Sequence, residues 1–132
     1  YLFVQQALAG EPITVFGDGK QTRTFTHVKD ATWAMLKLME HPSAIGEIFN
    51  IGGNEEISIE GLAHLVKEVL KSPSSITRLP YEEAYGEGFE DMRKRVPDIS
   101  KIQNLTGYDP KLGLKDIILD VANYQTSKRP SA

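Results

Sequence analysis

Gly17-Asp18-Gly19-Lys20-Gln21-Thr22-Arg23-Thr24-Phe25-Thr26-His27-Val28-Lys29-Asp30 carries three local signals in a row. Gly17-Asp18-Gly19 is a tight turn. Thr24 to Val28 alternates and is expected to be a short strand, with Arg23 at its start. From Lys29 to Glu40 the apolar positions Ala31, Ala34, Met35 and Leu38 fit one face of a helix, which His41-Pro42 ends.

The segments on either side follow the same alternation. Tyr1 to Gly10 has the pattern of a helix with Gly10 as its stop. No initiator Met and no N-cap residue precede that helix, so the chain is expected to be a piece of a longer polypeptide. Pro12-Ile13-Thr14-Val15-Phe16 is β-branched and strand-like. Glu47 to Ile51 is expected as a strand closed by Gly52-Gly53. Ser58 is placed to cap a helix whose apolar face is Leu62, Leu65, Val66, Val69 and Leu70. Ser72-Pro73-Ser74-Ser75 breaks it, and Ile76 to Leu79 is a candidate strand. Pro80 to Val96 has mixed charge and no periodicity, which predicts a long loop. Asp98 is placed to cap a short helix carrying Ile99, Ile102 and Leu105. Leu114, Ile117, Ile118 and Val121 mark a last helix, and residues 126–132 a tail. Strands alternating with helices predict an α/β (or α+β) domain with a small sheet and packed helices.

Composition limits the function. The chain has 132 residues, 40% hydrophobic and 25% charged, enough to bury one core. A net charge of -3 argues against a general nucleic-acid binder. It has no cysteine, hence no disulfide framework and no thiolate metal site. His27, His41 and His64 have no metal-ligand spacing, so no metal site is expected. No apolar run is long enough to span a bilayer. A cytoplasmic protein is the resulting expectation.

Two cationic points stand out, far apart in sequence: Arg23 and the triplet Arg93-Lys94-Arg95 before Pro97. A guanidinium presents a planar fork of donors that matches two phosphate oxygens. Two such points brought together by a fold can clamp a diphosphate. Gly17 and Gly19 would let a ligand approach the backbone closely. Phe16, just before the turn, suits either stacking on a base or filling a core. The same residues also fit a hairpin turn with a surface arginine, and a solvated loop in which Glu87, Glu90 and Asp91 offset the triplet. Gly17-x-Gly19 lacks the third glycine of a dinucleotide-binding loop and precedes a strand rather than a helix. Tyr124 and Lys128 have Tyr-x-x-x-Lys spacing at a helix end, which is taken as coincidence.

Pro12 to Phe25, Val28-Lys29-Asp30-Ala31, Phe49-Asn50-Ile51-Gly52 and Ile57-Ser58-Ile59 together resemble a known family. So do Arg95-Val96-Pro97-Asp98-Ile99-Ser100-Lys101 and Leu105-Thr106-Gly107-Tyr108-Asp109-Pro110. The family is the extended short-chain dehydrogenases acting on nucleotide sugars: UDP-glucose 4-epimerases, UDP-glucuronate decarboxylases and dTDP-glucose 4,6-dehydratases. The resemblance implies the C-terminal, substrate-binding portion of such an enzyme, spanning residues 1–125. It implies that Arg23 and Arg95 contact the diphosphate of a nucleoside-diphosphate sugar and that Phe16 lies beside the base, next to the Gly17 that would let the ligand approach. Arg93 would take the arginine role if the loop were shifted. The family's NAD loop and catalytic Tyr-x-x-x-Lys lie in an N-terminal Rossmann domain. This chain is therefore expected to bind no NAD and to hold no catalytic residue, within a homodimeric enzyme that epimerises, dehydrates or decarboxylates a sugar transiently oxidised by NAD. A free-standing nucleotide-sugar binding or interaction module without catalysis is the alternative.

Overall fold

The computed structural model describes residues 1–85 and 91–128. Helix α1 (Leu2–Ala9) ends at Gly10, whose φ of 71° is left-handed; the amides of Gly10 and Glu11 close back on Ala7 and Gln6. Strand β1 (Ile13–Phe16) alternates buried and half-buried residues. The turn at Gly17 and Gly19 leads into β2 (Thr22–Thr24). Helix α2 is Val28–Glu40, β3 is Glu56–Ser58 and α3 is Ile59–Leu70. Then come β4 (Ile76–Leu79), α4 (Tyr81–Tyr85), β5 (Lys94–Arg95), α5 (Ser100–Thr106) and α6 (Leu114–Lys128).

Among the described residues the strands form two small sheets. β1 and β4 pair in parallel, from Ile13 opposite Ile76 to Phe16 opposite Leu79. β2 is the middle strand of the other sheet, antiparallel to β3 and parallel to β5. The first core lies between α1, β1, α3 and α6, where Val4, Ile13, Val15, Val66 and Ile118 are buried. A second, smaller core gathers Ala34, Ile99, Ile102 and Tyr108 under α2 and α5. There the Tyr108 hydroxyl donates to the Gly52 carbonyl at 3.0 Å. This arrangement bears out an α/β domain of small sheets and packed helices.

Several local expectations change. The strand of the opening stretch is Thr22–Thr24, earlier than Thr24 to Val28, so Arg23 is its centre. It stops because His27 turns to capping: its Nδ1 accepts the Lys29 amide at 3.1 Å and starts α2. Residues 47–51 are not a strand, since no ladder partner runs beside them among the described residues. They are held from the side instead. Lys101 donates to the Glu47 carboxylate at 2.7 Å and to the Ile48 carbonyl at 2.9 Å, and sits 4.6 Å from the centre of the Phe49 ring. The strand that does form, β3, follows the Gly52-Gly53 turn and has no sequence signal, because three residues are too short to show a period. Residues 80–96 are not one loop: they hold α4 and β5, with residues 86–90 outside the described part. The last helix runs to Lys128, three residues into the expected tail, and includes both Tyr124 and Lys128.

Other expectations stand. Ser58 caps α3, its hydroxyl accepting the Gly61 amide at 3.0 Å. Asp98, expected to cap α5, stands one residue before its N-cap Ile99, which makes no side-chain cap, and accepts the Ser100 amide at 2.9 Å. Hydrogen bonds from Ser100 hold its carboxyl below the usual range. On α2 only Ala34 is fully buried. Met35, assigned to the inner face, is half exposed, and Val28, Leu36 and Met39 face outward with it. Trp33 stacks on Tyr108, with ring centres 6.3 Å apart, yet remains 42% exposed.

Candidate functional site

β2 brings the two distant arginines together. In the parallel β2–β5 register, Arg23 lies directly opposite Arg95. Residues opposite one another across a strand pair project from the same face of the sheet, so both side chains leave one surface. The fold thus sets these two points side by side at the backbone. The sequence signals were their residue type and the family resemblance. The pairing is made by β5, two residues long, which no periodicity reveals.

The two guanidinium groups differ in setting. Arg95 is exposed on β5. Arg23 has 14% side-chain exposure and is anchored. Its Nη1 donates to the Thr22 carbonyl at 2.7 Å and the Met92 carbonyl at 2.8 Å, and its Nη2 meets Asp91 at 2.6 Å. Arg93 is directed elsewhere. It pairs with Asp18 in the glycine turn at 2.6 Å, while its carbonyl accepts the Thr22 amide at 2.8 Å. The Arg93 hydrogen bond, with the Lys20 amide, keeps the Asp18 carboxyl below its ordinary range. Arg93 thus ties the turn to the strand that carries Arg95. Lys94 reaches the other way, to Glu56 on β3 at 2.9 Å.

Phe16 and Gly17 adjoin this surface through the turn. The Gly17 amide donates to the Leu79 carbonyl at 2.8 Å, and the Phe16 carbonyl accepts from Gln21 Nε2 at 3.2 Å. Phe16 is half-buried at the end of β1. Gly17 has φ 68°, and a Cβ there would lie 2.3 Å from the Tyr81 ring. A glycine is required on both counts.

Gln21 and Tyr81 went unread in the sequence, and Asp91, read as offsetting the Arg93-Lys94-Arg95 triplet, pairs with Arg23 instead. Tyr81 and Asp91 come from the aperiodic stretch, and only its length pointed to function. Chemically, the surface offers one anchored and one exposed arginine on neighbouring strands, a pattern of donors that suits a doubly anionic group. A separate apolar cleft of about 240 Å³, lined by Phe3, Phe25, Leu62, Val66 and Ile118, lies among the helices and includes neither arginine. Its lining is predominantly apolar. Among the described residues no cluster of His, Asp or Glu is set to hold a metal ion.

Comparison with known proteins gives the class. Residues 2–52 match the NAD dependent epimerase/dehydratase family. UDP-N-acetyl-alpha-D-glucosaminuronate decarboxylase of Bacillus cytotoxicus is 39% identical over 120 residues, covering 88% of this chain and 37% of that protein. UDP-glucuronic acid decarboxylase 2 of Arabidopsis thaliana is 41% identical over 113 residues, covering 86% of this chain and 24% of that protein. The crystal structure of UDP-glucuronic acid 4-epimerase from Bacillus cereus, with UDP-glucuronic acid and NAD, superposes with a TM-score of 0.82 at 28% identity. It covers 96% of this chain and 38% of that one. The chain belongs to the NAD-dependent nucleotide-sugar epimerase/dehydratase family, and spans about a quarter to just over a third of the length of these relatives.

Proposed function

We propose that this chain is the substrate-binding portion of an NAD-dependent enzyme acting on a nucleoside-diphosphate sugar, with Arg23 and Arg95 holding the diphosphate. The observation that carries this is the in-register pairing of those two residues across β2 and β5. Phe16 lies beside the base and Gly17 lets the ligand approach the turn. A UDP-sugar is the favoured substrate class, since the relatives above are named for UDP-sugars.

NAD and the hydride transfer it supplies are assigned to another part of the polypeptide. Gly17-x-Gly19 runs into strand β2, not into a helix whose N-terminus would face a pyrophosphate. The outward apolar residues of α2, Val28, Met35, Leu36 and Met39, support a covering domain. Ile45 and Ile48 extend the same exposed apolar character.

Incubating the intact protein with NAD and UDP-glucuronate or UDP-glucose tests the reading. Consumption of a UDP-sugar by the intact protein, with none by the 132-residue chain alone, is the expected result. UDP-sugar binding without turnover by the intact protein would instead select a binding module.

A further inference from the structure

Arg23 has five N–H groups. Three are engaged inside the protein, by the Thr22 carbonyl, the Met92 carbonyl and Asp91. Two are left without a partner among the described residues. The carboxylate that fixes Arg23 is itself fixed. The Tyr81 hydroxyl donates to the same Asp91 oxygen at 3.4 Å. Gln21 Nε2 in turn donates to the Tyr81 oxygen at 2.6 Å. Gln21 is 5% exposed, and its Nε2 also donates to the Phe16 carbonyl, so turning the amide over would set two oxygens against each other. Donor and acceptor are thereby assigned along the whole path, from Gln21 through Tyr81 to Asp91, where Arg23 arrives from the other side. Burial, then the Asp91 charge, push the Tyr81 hydroxyl up, which keeps it protonated and a donor. The ring is seated against Gly17, so it cannot swing away freely.

We infer that Tyr81 and Asp91 are positioning residues for the substrate site: they hold the Arg23 guanidinium in one orientation before the ligand arrives, with two N–H groups left for phosphate oxygens. This rests on the reading of Arg23 as a diphosphate ligand. A long side chain that is ordered by folding does not lose that freedom again on binding, which favours affinity. The Asp91 carboxylate acts here as a hydrogen-bond acceptor that fixes geometry. Its charge offsets that of Arg23, so the pair works through direction more than through attraction.

Titration of UDP into the intact protein tests this, with the melting temperature of every variant recorded. Asp91→Ala should weaken UDP binding by about 3- to 10-fold and Tyr81→Phe by about 2- to 5-fold, as expected for loss of one ordering hydrogen bond. Asp91→Asn keeps an acceptor oxygen and should stay within about 2-fold of the parent. Tyr81→Phe should add nothing in the Asp91→Ala background, because it acts through Asp91. A residue that merely supports the fold would lower the melting temperature without the asparagine rescue or the non-additivity. If Asp91→Ala does not fold, Tyr81→Phe and Asp91→Asn still decide the matter. UDP binding by Asp91→Ala as tight as the parent, additive losses, or an Asp91→Asn as weak as the alanine each overturn the positioning role. Arg23→Ala separates the two readings. If it loses UDP while the Asp91 and Tyr81 variants do not, only the positioning role falls. If it binds UDP normally, the diphosphate reading falls first.

Discussion

Gly17→Ala offers a graded test of how the glycine turn shapes the site. Gly17 and Gly107 have nearly the same backbone, φ 68° and 72°. They differ in surroundings. A Cβ on Gly107 meets nothing within 4 Å, whereas one on Gly17 would stand 2.3 Å from a Tyr81 ring carbon. Left-handed strain costs alanine about 1–2 kcal/mol at either position. The clash at Gly17 adds about 1–3 kcal/mol, typical of forcing atoms into a packed contact. The Tyr81 ring cannot relieve it cheaply, because its hydroxyl is held by Gln21 and Asp91. At about 4 °C per kcal/mol for a chain of this size, Gly17→Ala should melt roughly 4–12 °C below Gly107→Ala. UDP affinity of the intact protein should fall in Gly17→Ala and stay at the parent level in Gly107→Ala. Calorimetry and UDP titration on the two variants give both numbers. Equal melting losses, with equal UDP affinity, would show that the Tyr81 contact does not constrain the turn.

Other consequences are simpler to measure. Ser58→Ala removes the cap of α3 and should cost about 1 kcal/mol in denaturant unfolding. The Thr22 hydroxyl and then Lys94 hold the Glu56 carboxyl below its ordinary value, so Glu56 stabilises the fold above its unfolded pKa of about 4.3 and that contribution is lost as pH falls through the lower folded value. Glu56→Gln should therefore be less stable at pH 7 and show a shallower acid loss below about pH 4, read from melting temperature against pH. Trp33 fluorescence should be blue-shifted in the intact protein relative to the 132-residue chain, as the exposed α2 face becomes covered; identical emission maxima would remove the case for that cover.

The elements most legible in the sequence were those with enough residues to show a period or a cap. α3 had five apolar positions at helical spacing and Ser58 before it, and α1 had its terminal glycine. What was hidden depended on partners distant in the chain. β3 and β5 are three and two residues long and exist because β2 offers both of its edges. Glu47 to Ile51 has the composition of a strand but no ladder partner among the described residues, and Lys101 holds Glu47, Ile48 and Phe49 from the side. The arginine pair was legible as residue types, and its register was not. The roles of Tyr81, Asp91 and Gln21 were invisible because each is defined by a hydrogen bond made across the fold. Arg93, which by residue type looked like an equal candidate, is drawn to Asp18 by a charge in the turn.

The central claim is that Arg23 and Arg95 together hold a diphosphate. Its most direct measurement is the affinity of the intact protein for UDP and for UMP, in the parent, Arg23→Ala, Arg95→Ala and Arg23→Lys. Charge-assisted bonds to phosphate are worth about 1.5–3 kcal/mol. Each alanine variant should then lose about one to two orders of magnitude in UDP affinity and narrow the preference for UDP over UMP. Arg23→Lys should recover part of the loss, since an ammonium cannot make the two-pronged contact. NAD affinity should stay where it was. UDP affinity unchanged in both alanine variants, with melting temperatures also unchanged, would contradict the clamp.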